Sequence, residues 1–274
     1  MPPASLSSVD TRPRVRSGLP VVRRGPGVVQ VGTDPKHAVV IDELPAALVD
    51  ELLVLDGRYT ITELGEKLRE RGEDPAQLTA VLEALDDAGL LESPSTTKGA
   101  TVAVFGAGHL ALAMTSLLAE SGVRLAHQAD LVVLAATLVP DPSVVSGLMA
   151  ARTPHMAVRV REGVGIVGPL VLPGRTSCLN CADLHRTDHD PAWPDIAAQL
   201  VAKPASSDVL FASGTAALAV VQALESLRYV RGAAQAPPPV LNATVELDLV
   251  TGVAEKRSWY PHPDCQCSAH NMAV

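Results

Sequence analysis

The chain has 274 residues, 47% of them apolar, and a formal net charge of −8; that length suits two modest domains of roughly 100–200 residues each, with ample material for packed cores. Aromatic residues make up only 3%, which leaves few faces for bases to stack on, and the acidic balance opposes phosphate binding, whose affinity comes from clustered Lys and Arg. Both observations argue against a nucleic-acid partner. Residues 1–10 are polar and proline-containing with no apolar stretch behind a basic start, so no secretory signal is expected. No uninterrupted apolar run reaches the length of a membrane span, so no membrane partner is expected either. The expected setting is cytoplasmic and reducing, where four cysteines serve as metal ligands rather than disulfides.

Residues 1–27 carry Arg12, Arg14, Arg16, Arg23 and Arg24 among prolines and glycines, the composition of a flexible, solvated tail. From Val28 the pattern becomes V-V-Q-V, a turn around Asp34 and Pro35, then A-V-V-I, which predicts a β-hairpin over 28–41. Three helical segments follow. The first covers about 44–55 and ends at Gly57; the second starts at Thr60, where Thr60 and Glu63 fit a capping box. The third has Asp74 as N-cap and Pro75 in its first turn, buries Leu78, Val81, Leu82 and Leu85, and stops at Gly89, after which Leu90 and Leu91 begin a short strand. Hairpin, three helices and strand over 28–92 is the order of a winged helix-turn-helix.

Residues 93–99 read as a linker of turn formers. The second domain, 100–274, alternates strand and helix: a buried strand at 101–105, a glycine turn and helix to Glu120, a strand over 129–137, a helix opening at Asp141 or Ser143, and a strand over 155–161. That alternation predicts an α/β fold with a mainly parallel sheet. The turn Gly106-Ala107-Gly108-His109-Leu110-Ala111 matches the G-x-G-x-x-G/A fingerprint of nucleotide sites, with a strand before it and a helix after it. Only residues 124–128 separate that helix from the next strand, too few for the strand, acidic residue and helix that hold a ribose. A glycine turn kept for packing is therefore favoured over a working nucleotide site.

The C-L-N-C pair Cys178 and Cys181 and the C-Q-C pair Cys265 and Cys267 account for every cysteine. Paired thiolates at these spacings suit one tetrahedral zinc in a closed structural site that ties the C-terminus to the middle of the domain, in preference to two disulfides or inert thiols. His262 and His270 flank the second pair as weaker candidate ligands. In the first domain the third helix has no Lys or Arg between Pro75 and Gly89 and carries Glu83, Asp86 and Asp87. A carboxylate-bearing recognition helix repels phosphate. That leaves a transcription regulator, supported only by the basic tail, as the weakest reading, and turns attention to the hairpin edge as a place for an added peptide strand.

From Thr101 onward the chain resembles the ThiF-type, ubiquitin-activating-enzyme-like fold, through G-x-G-x-x-A, the strand A-D-L-V-V-L-A, the segment G-P-L-V-L-P-G-R-T-S-C-L-N-C and the terminal H-P-D-C-Q-C. Residues 28–92 resemble the leader-peptide recognition element that precedes such domains in the cyclodehydratase partners of azole-peptide biosynthesis. The resemblance implies a truncated Rossmann-like domain with structural zinc behind a winged helix, and a scaffold that binds a precursor-peptide leader and presents it to a YcaO-type partner enzyme. The peptide would lie along Val28, Val29, Val31, Val39, Val40 and Ile41, with no catalytic residue in the chain. The rival implication is an ATP- and magnesium-dependent adenylyltransferase acting on a peptide or protein C-terminus, using Gly106, Gly108, Ala111 and Asp141. Homodimers are common in such folds, and the Ala-rich helix over 215–227 offers a face, although that pattern also suits ordinary core.

Overall fold

The computed structural model describes residues 11–92, 99–135, 137–201, 203–204, 208–234 and 236–267. The chain divides into two compact units, Met1–Ser95 and Thr96–Val274; most of the expected linker, residues 93–98, lies outside the described residues.

The first unit holds a three-stranded antiparallel sheet, β1 (Val21–Gly25), β2 (Val28–Val31) and β3 (Val39–Ile41), in that spatial order, and three helices, α1 (Ala46–Leu53), α2 (Ile61–Glu70) and α3 (Ala76–Asp87). The expected hairpin is β2 and β3. The third strand comes from the segment assigned to a flexible tail, and that assignment is corrected for the described residues. Gly27 turns β1 into β2 at φ 68° and accepts a hydrogen bond from Leu44 N–H at 2.9 Å. Val15 is buried and donates its N–H to Leu55, and Arg16 donates to Leu90. Arg23 reaches Asp50 at 2.8 Å, whose second oxygen takes Arg71 at 2.9 Å. Composition marked this segment as mobile, but alternating apolar residues and paired arginines fasten it.

The helices follow their local signals. Thr60 Oγ1 accepts from Glu63 N–H at 3.1 Å while Glu63 accepts from Thr60 N–H at 2.6 Å, completing the capping box. Asp74 accepts from Ala76 N–H at the start of α3, and Leu78, Val81, Leu82 and Leu85 are buried as the spacing predicts. Leu90 and Leu91 are buried, Leu91 pairing with Val15 by a single bridge.

The second unit runs β4 (Thr101–Phe105), α4 (Gly108–Glu120), β5 (Arg124–Leu125), β6 (Leu131–Leu134), α5 (Pro142–Ala150), β7 (His155–Arg161), β8 (Val164–Val171), α6 (Leu179–His189), α7 (Trp193–Val201), α8 (Val209–Val230), β9 (Ala243–Asp248) and β10 (Ala254–Ser258). The strands form one sheet in the order β10-β9-β8-β7-β6-β4-β5, a mixed α/β arrangement that fits a Rossmann-like domain. The expectation of a mainly parallel sheet is corrected: β5, β4, β6 and β7 are parallel, but β8, β9 and β10 are each antiparallel to the strand before. Only Glu162 and Gly163, at φ 54° and 83°, join β7 to β8. A two-residue link with both residues left-handed can only return the chain antiparallel.

Alternate residues of β7 face opposite layers. Met156 and Val158 join the core under α4 and α8, whereas Ala157 joins a second cluster with Val132, Leu134 and the buried first turn of α6, against which half-buried residues of α5 pack. The 22-residue α8 is, by length and composition, long and apolar enough to cross a membrane, which the sequence reading did not anticipate. Its Ala212, Ala216, Ala219 and Ala223 are buried in the unit's own core, while Ser213, Ala217 and Val221 on another face are exposed.

Within β8, Gly168 lies at φ 98° and a Cβ there would stand 2.6 Å from the backbone oxygen of Ala243. Gly168→Ala is expected to destabilise the protein by about 2 kcal/mol or more, whereas Gly122→Ala, left-handed but facing open space, should cost about 1 kcal/mol. Urea unfolding midpoints of the two variants check the contrast.

Candidate metal centre

Local structure sets the first cysteine pair. Leu172 N–H donates to Thr176 Oγ1 at 2.8 Å, and Ser177 donates through its N–H and its hydroxyl to Asn242 Oδ1 at 2.8 and 3.1 Å. The turn so pinned delivers Cys178 as the N-cap of α6 and Cys181 one turn into it. The second pair arrives from the segment after β10. Trp259 N–H donates to Asn242 O at 2.7 Å, and Cys265 N–H donates to His262 O at 2.9 Å. One asparagine thus holds both approaches to the site.

The four sulfurs converge. Cys178 and Cys181 are 3.7 Å apart, Cys178 and Cys265 3.6 Å, and Cys181 and Cys267 3.4 Å, and all four lie within 4.8 Å of one another. A tetrahedron of thiolates at zinc–sulfur distances of roughly 2.3 Å has edges of about 3.8 Å. The donor set fits a four-coordinate, soft-ligand ion with every position filled by protein, which supplies cross-linking and offers no open position for substrate. Cys178, Cys181 and Cys265 are buried. Asn180 Nδ2 donates to Cys265 Sγ at 3.4 Å, a contact that favours the anionic sulfur a metal requires. Cys181 falls well below the ordinary thiol pKa, chiefly because Cys178 donates to it, while that same contact and then burial raise Cys178.

Beside the sulfurs lies a second cluster that the sequence reading missed, His185, Asp188 and His262. His262 accepts from Asp264 N–H at Nδ1, 3.1 Å, so its Nε2 carries the proton and donates to Asp188 at 2.8 Å. His185 Nε2 donates to Tyr260 O at 3.0 Å, and the two imidazoles meet edge to face at 4.8 Å. These contacts spend His262 on holding the C-terminal segment against α6, not on replacing a cysteine. The signal was present as His185 and Asp188, three apart on one helix face. His270 lies outside the described residues.

The nucleotide candidates are spread along the top of the sheet. Gly106 and Gly108 are exposed, Gly108 opening α4 at φ 80° with open space where a Cβ would stand, and Ala111 is buried in the first turn. Gly108 is thus required by its backbone angle, not by packing. Asp141 caps α5, its Oδ1 accepting from Ser143 N–H at 2.8 Å and Ser143 Oγ at 2.7 Å, bonds that lower its pKa. Among the described residues no hydrogen bond or ion pair joins Asp141 to the glycine turn. Asp130, ahead of β6, accepts from Thr101 N–H at 2.9 Å and serves as a latch between two parallel strands. The peptide candidates are split by the pleat. Val29 and Val31 are buried in the first unit's core, Val28, Val39 and Ile41 are half-buried, and Val40 is 45% exposed.

Purified protein should carry about one zinc per chain by plasma mass spectrometry, and Cys178→Ser and Cys267→Ser should each lose it. Structural zinc contributes on the order of 10 kcal/mol to folding, as much as the whole net stability of a domain. Metal removal by a chelator is therefore expected to unfold the second unit, read as lost α/β circular dichroism; a metal-free protein that keeps its spectrum would refute the site.

No protein-family model and no curated protein matches the sequence. Solved structures do match. A heterocyclase determined with substrate and cofactor superposes at TM-score 0.70 and 15% identity over 95% of this chain and 40% of its own. The heterocyclase TruD gives 0.68 and 16% over 94% and 43%. MccB of E. coli, determined with ATP, gives 0.59 and 14% over 93% of this chain and 99% of its own. The chain thus spans about two fifths of the heterocyclases. It has the fold of TruD and MccB, in keeping with the resemblance of its sequence to the ThiF-type partners of azole-peptide cyclodehydratases.

Proposed function

We propose that the chain is a recruiting protein without a reaction of its own. Its first unit, read as a winged helix-turn-helix, binds the leader of a ribosomal precursor peptide. Its second unit, held together by zinc, presents that peptide to a partner modifying enzyme such as a YcaO-type cyclodehydratase, in the cytoplasm. The observation that carries the reading is the edge of β3. This strand pairs with β2 on one side and with no other strand among the described residues, and Val40 at its centre is 45% exposed. An open antiparallel edge accepts an extended peptide through main-chain hydrogen bonds. Because Val29 and Val31 are committed to the core, the edge narrows the proposed contact surface to Val39, Val40 and Ile41.

Two further observations support it. The strand that would carry the ribose-binding acid in a full nucleotide domain is reduced to the two residues of β5, with no helix between it and β6. The outer face of α3 presents Glu83 and Asp87 and no cation, which suits a peptide and not phosphate. The likeness to heterocyclases and to MccB, which has also been solved with MccA, is in keeping with work on a peptide substrate.

One observation favours the adenylyltransferase reading instead. Gly108 keeps the left-handed angle and open space of a phosphate-facing turn, and MccB, solved with ATP, matches over almost its whole length.

Calorimetric titration of the full, zinc-loaded chain with leader peptides encoded beside it is expected to show binding that Val40→Pro weakens about tenfold or more, a loss of roughly 1.4 kcal/mol. Circular dichroism confirms that the variant folds. Binding untouched by Val40→Pro would move the peptide off β3, and magnesium-dependent ATP–pyrophosphate exchange would replace the scaffold by the adenylating enzyme.

A further inference from the structure

The α6 side of β7 carries an anomaly. Arg159 stands in β7 between Val158 and Val160 and is buried, with only 9% of its surface exposed. Among the described residues its side chain has no hydrogen bond and no ion pair. It lines a cleft of about 130 Å³ in the second unit, together with Arg161, Arg186, Asp183, Trp193 and Leu138. Two of the neighbouring charged groups, Asp183 and Arg186, are committed to each other. Asp183 Oδ1 accepts from Arg186 Nη1 at 2.8 Å and from Trp193 Nε1 at 3.1 Å. Arg186 is further held over the rings of Trp193 and Trp259, at 5.2 and 4.5 Å. Burial, and then the charges of Arg186 and Arg161, push the Arg159 pKa down to about 10, which leaves the guanidinium charged at neutral pH.

A mostly buried guanidinium with no protein partner is costly to desolvate, and because none of its nitrogens is among the fully buried unpaired polar atoms, its donors face the cleft, where an anion can complete them. Three guanidinium groups and the carboxylates of Asp183 and Glu162 line the cleft, and the Glu246 carboxylate also acts on Arg159. The cleft's volume is well under the roughly 300 Å³ of a typical cofactor pocket, the scale of one side chain or one small acid. Leu138, Pro169 and Leu200 provide an apolar wall next to Trp193.

We infer that this cleft binds a carboxylate carried beside an apolar group, with Arg159 as the buried counter-ion and Trp193 as the wall. A guanidinium fork takes a carboxylate through two parallel hydrogen bonds, which the packed strand pre-orients. Leu179 also lines the cleft, flanked by Cys178 and close to Cys181, so the metal centre fixes one wall. The inference concerns the second unit alone and does not depend on the leader-peptide reading.

The test uses the zinc-loaded full chain labelled with 15N. Its two tryptophans give two indole signals, and Trp193→Phe assigns them. Three probes are titrated: N-acetyl-leucine, with a terminal carboxylate; N-acetylglutamic acid α-amide, with a side-chain carboxylate; and N-acetyl-leucinamide, with none. Saturable movement of the Trp193 signal by at least one acid and not by the amide is expected, and which acid acts tells a chain terminus from an acidic side chain. Arg159→Met should weaken that binding roughly tenfold to a hundredfold, the worth of a charge-assisted hydrogen bond. Arg159→Lys, which keeps the charge but loses the fork, should fall in between. Equal responses to acid and amide, no response to any probe, or unaltered binding in Arg159→Met would each overturn the assignment. The acid-against-amide comparison needs no variant, so it decides even if Arg159→Met fails to fold.

Discussion

The rest of the second unit depends on the meeting of four thiols. Cys178 and Cys265 are separated by 87 positions in sequence and by 3.6 Å in space. No helix or strand propensity brings them together, and a metal bound by four deprotonated sulfurs would supply an energy of the same order as the stability of the whole domain. Such a closed ligand set would act as a clamp. It anchors the first turn of α6 and draws the segment after β10 across it, where His262, Asp188 and His185 add a second row of hydrogen bonds. With α6 fixed, Asp183 and Arg186 are fixed too, and with them the wall of the cleft around Arg159.

The sheet divides the unit's labour. Its parallel half retains the outline of a nucleotide-binding fold, including a left-handed glycine opening α4, but the strand next to it has shrunk to two residues and the acids at hand are engaged elsewhere. Asp130 latches β4 to β6, and Asp141 caps α5. Its antiparallel half begins at the tight turn of Glu162 and Gly163 and leads to the approach to the cysteines and to Asn242, which holds both limbs of the four-cysteine site, while the arginine-lined strand β7 sits at the border between the halves.

In the first unit the helices were legible because each carries its own instructions. The Thr60–Glu63 box, the Asp74 cap and the spacing of Leu78, Val81, Leu82 and Leu85 act over one or two turns, within reach of local sequence. The tail was misread because its composition resembles that of a mobile segment, whereas its order comes from distant partners: Leu55 and Leu90 for the backbone, Asp50 for Arg23. The same limit explains β8 to β10. Alternation of apolar residues announces a strand but not its direction, which rests on a two-residue turn whose φ angles composition does not reveal.

By itself the sequence determined the cysteine pairs, the glycine turn with too little chain after its helix for a full ribose-binding strand and helix, and the acidic third helix, since each depends on residue type and on spacing within one element. Tertiary structure decided everything that requires two distant elements to meet. It made β3 an edge and buried Val29 and Val31 behind it, gave α8's alanines to the core, and tied His262 to Asp188. It also buried Arg159 with no side-chain partner among the described residues, because burial and pairing belong to the packed chain and are written in no single segment.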